Sequence, residues 1–139
     1  MEVQKRHPCL RTALSDIRDA IRRFKDTPLY AYRAIESIRQ HYERNKGDND
    51  ANRRQAWKEM RQDLDLKESE LRLVADASKY VRHGQPAPNG RVERVELVRI
   101  AWKVVYRFWR RAADDGIRGP AGATEPRGRT PTVDETGSR

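Results

Sequence analysis

Apolar and polar positions along this chain recur at three- and four-residue steps almost from end to end, the period of amphipathic helices rather than of strands. Leu10, Ala13, Leu14, Ile17, Ile21 and Phe24 set the first stripe. They predict a helix over about 9–25 with those residues inside and Arg18, Arg22, Arg23 and Lys25 outside or on its margin. Asp26-Thr27-Pro28 is a start signal: a threonine hydroxyl can cap the open amides of a first turn, and proline at the first helical position gives up a donor that had no partner. A second helix is predicted from there to about Lys46. Ala31, Ala34, Ile35, Ile38 and Tyr42 form its inner side, and Glu36, Arg39, Glu43 and Arg44 point toward water.

The cluster NKGDND at 45–50 predicts a turn with positive φ at Gly47 and a cap from Asn49 or Asp50. A third helix then spans roughly Ala51 to Leu64, with Trp57, Met60 and Leu64 as a narrow apolar seam and Arg53, Arg54, Lys58 and Arg61 opposite. After the connector Asp65-Leu66, the stretch KESELRLVADASKYVRHG (67–84) reads as the central helix. Glu68 and Glu70 suit the positive end of its dipole, Leu71, Val74, Ala75, Ser78 and Val81 share an inner face, and Gly84 ends it. Two prolines in QPAPNG reverse the chain, and Arg91 to Ala113 forms the longest helix. That helix carries two apolar seams, Val95, Val98, Trp102, Val105 and Trp109 on one and Leu97, Ile100, Ala101, Val104 and Phe108 on the other, which predicts two neighbours. Between them Glu96, Arg99, Lys103, Arg107 and Arg110 line up in an almost wholly cationic stripe. The expected fold is all-α, a single bundle of about five helices over 1–115. A Gly/Pro/Thr-rich tail over 116–139 lacks aromatic residues and is expected to be disordered, because it buries too little to offset its ordering entropy.

Composition narrows the function classes. With 139 residues and 36% apolar content, one core is expected. The net charge is +9 and the tail holds only +1 of it, so the helical part is basic and suits a polyanionic partner. The single cysteine, Cys9, excludes an intramolecular disulfide and reads as a small apolar residue. MEVQKRHPCLRTAL has no apolar signal core, so a cytoplasmic setting is expected, and no apolar run approaches the roughly 18 to 20 residues of a membrane span.

Candidate chemistry is sparse. His7, His41, His83 and Cys9 lie in separate segments without metal-ligand spacing, so neither a metal nor a cofactor is expected. No Gly-rich phosphate loop, nucleophile elbow or suggestive carboxylate pair is present. Trp57, Trp102 and Trp109 sit at helical spacing with other apolar residues and read as core. The remaining constellation is Arg72, Asp76, Lys79 and His83, in line on the polar face of the fourth helix with Arg82 beside the last. It can be a solvated face with an Arg72–Asp76 ion pair, or a row that grips phosphate through Lys79 and His83.

The order YRAIESIRQHY, AWKEMRQDLDLKESELRLVADASKYVRHG, a short Pro-containing turn and a long last helix resembles the HEPN-type helical proteins over about Leu29 to Trp109. Many members of that group are ribonucleases or antitoxin-linked toxins that use an Arg, a spacer of four to six residues and a His, and others are binding or assembly modules. The resemblance carries over His83, and with it Arg82. The upstream positions where the Arg belongs hold Asp76, Ala77 and Ser78, and Lys79 lies closer.

The expectation is therefore a basic helical protein that binds RNA or an RNA-containing assembly through Lys79, Arg82, Arg99, Lys103, Arg107 and Arg110. If it cleaves RNA, it does so without metal, His83 moving the proton of the 2′-hydroxyl and Arg82 or Lys79 stabilising phosphate charge. Two alternatives stand beside it. One is an interaction module whose last helix pairs with a second copy or a helical protein partner. The other is a helix-turn-helix DNA-binding protein built on 51–64 and 67–83.

Overall fold

The computed structural model describes residues 2–43, 47, 49–85 and 92–118, with side chains to 115, and every regular element among them is helical. Helix α1 is Glu2–Arg6 and α2 is Pro8–Arg22; a 3₁₀ turn at Phe24–Asp26 leads into α3, Thr27–Glu43. Helix α4 is Asp50–Leu64, α5 is Glu68–His83 and α6 is Arg94–Arg118. The all-α bundle with a long last helix is as expected, with the five-residue α1 added in front. The Pro-containing turn at 86–91 and the segment 119–139 lie outside the described residues.

The centre of the bundle is α3, not α5. Ala31, Ala34, Ile35 and Ile38 of α3 are fully buried, and α2, α4, α5 and α6 all pack on this helix. Alanines explain the closeness, since Ala13 and Ala20 of α2 are also fully buried and small side chains let helix axes approach. Each large aliphatic group in this layer contributes about 1.5–3 kcal/mol through burial. By contrast α5 buries only Leu71, Val74 and Ser78, leaving Ala75 and Val81 half-exposed.

The buried arc of α2 is likewise turned from the expected one. It runs through Leu10, Ala13, Asp16, Ile17 and Ala20, while Ile21 and Phe24 are 59% and 62% exposed. Ile21 is still within α2 and is turned out because the contact runs through Ala13 and Ala20, whereas Phe24 is carried off the α2 face where Arg23 leaves helical geometry and the 3₁₀ turn begins. Buried Asp16 lies 3.7 Å from Arg33 of α3, and burial, opposed by that guanidinium, raises its carboxyl above the ordinary range.

Thr27 joins helices rather than capping the first turn of α3. It already has helical dihedrals, is fully buried, and its hydroxyl donates to the Ala20 carbonyl at 2.6 Å while accepting from Arg94 Nε at 2.9 Å. Arg94 also donates to the Ile21 carbonyl at 3.1 Å and stacks its guanidinium 4.1 Å from the Phe24 ring centre. One threonine and one arginine thus join the end of α2, the start of α3 and the start of α6.

Arg39, expected to face water, is 6% exposed: it pairs with Glu43 and lies over the Trp57 ring, on which Tyr32 also stacks. Around α4, Asn49 supplies the expected cap, accepting from Asn52 N–H at 2.8 Å. Gly47 does not take positive φ. Left-handed backbone instead falls at Asp65, φ 51°, where α4 ends, and at Gly84, φ 64°, where α5 ends.

Candidate functional site

At the end of α5 the chain closes as its glycine predicts, Gln85 N–H reaching the Tyr80 carbonyl at 3.0 Å and Gly84 N–H the Val81 carbonyl at 3.2 Å. Lys79, Arg82 and His83 stand exposed on this last turn, and the Arg82 guanidinium lies 5.9 Å from the Tyr32 ring centre. The expected Arg72–Asp76 pair is replaced by Arg72 with Glu68, one turn earlier, at 2.9 Å. A solvated polar face therefore describes this row, with His83 at its tip.

The cations of α6 are elsewhere and are largely engaged. Lys103 Nζ sits 2.9 Å from both Glu70 carboxylate oxygens, and Arg99 bridges Glu96 at 2.7 Å and Glu70 at 3.5 Å. The hydrogen bond from Lys103, together with the nearby cations, holds the Glu70 carboxyl below its ordinary range against a smaller cost of burial. Arg107 donates to the carbonyls of Leu64 and Asp65 at the end of α4, and Arg111 pairs with Asp63 at 3.0 Å. Arg110 is exposed and makes no ion pair among the described residues. Glu70, where the α6 stripe is fastened, lies about 20 Å along α5 from His83 at the helical rise per residue. The structure thus divides the six expected nucleic-acid contacts between two places.

On α6 the two apolar seams part company. Leu97, Ile100, Ala101, Val104, Val105 and Phe108 form the core edge. Val95 is 78% exposed, Trp102 44%, Tyr106 40% and Trp109 46%, so two of the tryptophans expected in the core lie on the surface. The three rings are continuous: Trp102 stacks on Tyr106 at 6.4 Å between centroids, and Tyr106 meets Trp109 edge-on at 6.2 Å. With Ile21 and Phe24, joined to Val95 through Arg94, they account for every exposed large apolar side chain among the described residues.

The fold also assembles a group that spacing along the chain does not reveal. His7, between α1 and α2, and His41, late in α3, meet at 5.4 Å between ring centroids, and both pack on Phe108, at 5.5 and 4.9 Å. With Cys9, Thr12, Ser37 and Gln40 they line a cavity of about 360 Å³. Beside it Tyr42 donates to Asp63 at 2.7 Å, and burial, reinforced by that bond, holds its phenol proton well above the usual range. Among the described residues no three His, Cys, Asp or Glu side chains stand where they could share a metal ion. Nor is any described helix long and apolar enough to cross a membrane.

The class these features define is a small all-α bundle with one uncovered aromatic helix face and a basic exterior. The chain belongs to the family described as the domain of unknown function DUF8168, C-terminal domain, whose sequence profile matches residues 1–113. No curated protein and no solved structure matches the chain.

Proposed function

We propose that this protein is a helical interaction module that docks a partner polypeptide through the outer face of α6. The observation that carries the reading is the continuous run of Trp102, Tyr106 and Trp109, with exposed Val95 two turns before it, uncovered although it lies on the longest helix of the bundle. Contiguous apolar surface rimmed by polar groups marks association sites, and aromatic residues with arginine are the enriched types there. From Trp102 onward the run keeps the period of a helix partner, one anchor at each turn.

Binding of RNA is the second reading, favoured by the net charge of +9 and by exposed Lys79, Arg82, His83 and Arg110. It ranks behind because Arg99, Lys103 and Arg107 already hold acceptors within the fold. In the HEPN-like form of that reading, His83→Ala abolishes RNA cleavage with helicity intact.

A photo-crosslinking amino acid at Tyr106, activated in cells producing the chain, separates the two readings. Docking predicts adducts that protease removes and nuclease does not. Adducts that shift on nuclease treatment would sink the docking reading.

A further inference from the structure

We infer that the occupant of the α6 face is an acidic amphipathic helix of a partner protein, a deepening that rests on the docking reading above. The band runs from Val95 to Trp109, about 21 Å at the helical rise per residue, which matches a partner helix of about 15 residues. Together the exposed side chains, with Ile21 and Phe24 at one end, offer on the order of 600 Å² of apolar surface. That approaches the roughly 800 Å² per partner of a specific interface.

Charge selects the partner. Along one border of the band stands Arg110, exposed and without an ion pair among the described residues, with half-exposed Arg99 further along the same side held by Glu96 and Glu70. The other border is α2, which packs beside α6 with His7 against Phe108 at its start and the Ala20 and Ile21 carbonyls bound to Arg94 at its end. On α2 the stripe Arg11, Leu14, Arg18 and Ile21, spaced at three and four residues, alternates cation with aliphatic group, and both arginines are exposed. An apolar strip between two cationic rims is complementary to a helix with Leu-like anchors flanked by Asp and Glu.

The same rims disfavour the other occupants. A second copy docked about a two-fold axis lays one cationic border against another in either orientation. Single-stranded RNA would gain from the three rings, but Val95 and Val98, which precede them on the helix, give a base nothing to stack on.

The test uses the full chain and three fluorescein-labelled probes followed by anisotropy: a helical peptide of about 18 residues with Leu on one face and Glu on its flanks, the same peptide with Lys for Glu, and a single-stranded RNA of similar length. The first is expected to bind at least tenfold tighter than the second and tighter than the RNA. Trp109→Ala and Arg110→Glu, both at exposed positions, are each expected to weaken the acidic peptide by about tenfold with unchanged circular dichroism. Equal binding of the Lys peptide, indifference to both substitutions, tighter RNA binding, or dimerisation of the free chain at peptide-binding concentrations overturns the proposal. If the acidic peptide fails while the Tyr106 adduct remains protein, docking stands and its acidic partner falls. A nuclease-sensitive adduct removes both.

Discussion

Replacing Thr27 with valine tests the joint on which the register of three helices depends. The hydroxyl is fully buried, donates to the Ala20 carbonyl at 2.6 Å and accepts from Arg94 Nε at 2.9 Å. Valine keeps the shape and removes both bonds. The Ala20 carbonyl is left with Arg94 Nη2 at a long 3.5 Å, and Nε loses its acceptor. Each stranded polar group costs about 1–3 kcal/mol, partly offset by the better burial of a methyl than of a hydroxyl, so the net loss is about 2 kcal/mol. At a urea dependence of about 2 kcal/mol per molar, the unfolding midpoint falls by about 1 M. Arg94→Met removes the other partner, and the double variant should cost less than the two singles together by about 1 kcal/mol, because the shared bond can be lost only once. A midpoint within about 0.3 M of the parent for Thr27→Val, or strict additivity of the pair, refutes the reasoning.

Two neighbouring aromatic residues on α6 should behave oppositely: Phe108→Ala, at 2% exposure, should cost about 3–5 kcal/mol in urea unfolding, and Trp109→Ala, at 46%, less than about 1. Comparable losses would mean that the outer seam is covered within the monomer. Because the Glu70 carboxyl is held low, its contribution is present above the carboxyl's unfolded value near 4.3 and fades as pH falls toward the folded one. Glu70→Gln should therefore lower stability at pH 7, by about 1 kcal/mol for a partly buried pair at the edge of the fold, and should flatten the loss between pH 5 and 3; an unchanged pH profile would show that the contact with Lys103 contributes nothing.

Periodicity located the four long helices that follow α2, and the inner face of α3, because an apolar stripe at three- and four-residue steps admits few other structures. What it does not encode is how many neighbours a stripe has. Both seams of α6 are equally apolar, yet one is buried throughout while of the other only Val105 is, and nothing local distinguishes Trp102 from Phe108. Ile21 fails for a related reason: it shares a stripe with Leu10 and Leu14, but the alanines of α2 rotate the contact toward Ala13 and Ala20. The candidate site was readable only in part. His83 and Arg82 ended a helix where the chain said they would, whereas the pairing of His7 with His41 depends on the junction between α1 and α2 lying against α3 and α6, and sequence spacing carries no trace of it.

The cationic stripe of α6 shows why a count of charges is a poor guide to partners here. Arg107 reaches the last carbonyls of α4, and Arg94 reaches the last carbonyls of α2. Those are groups a helix end leaves without partners, at the negative pole of its dipole, so each arginine satisfies acceptors that would otherwise need water. Lys103 and Arg99 meet Glu70, and Arg111 meets Asp63, so α6 fastens α2, α4 and α5 largely through its basic side chains. A stripe that reads as a surface for phosphate is thus mostly an internal fastening. Of the α6 stripe, Arg110 is left to act outward as charge beside the exposed arginines of α2, and the aromatic band acts as apolar surface. If α6 works on a partner, its specificity must come from the combination of that band with the few cations beside it, which is why the acidic and basic forms of one amphipathic peptide discriminate more sharply than any measure of overall charge.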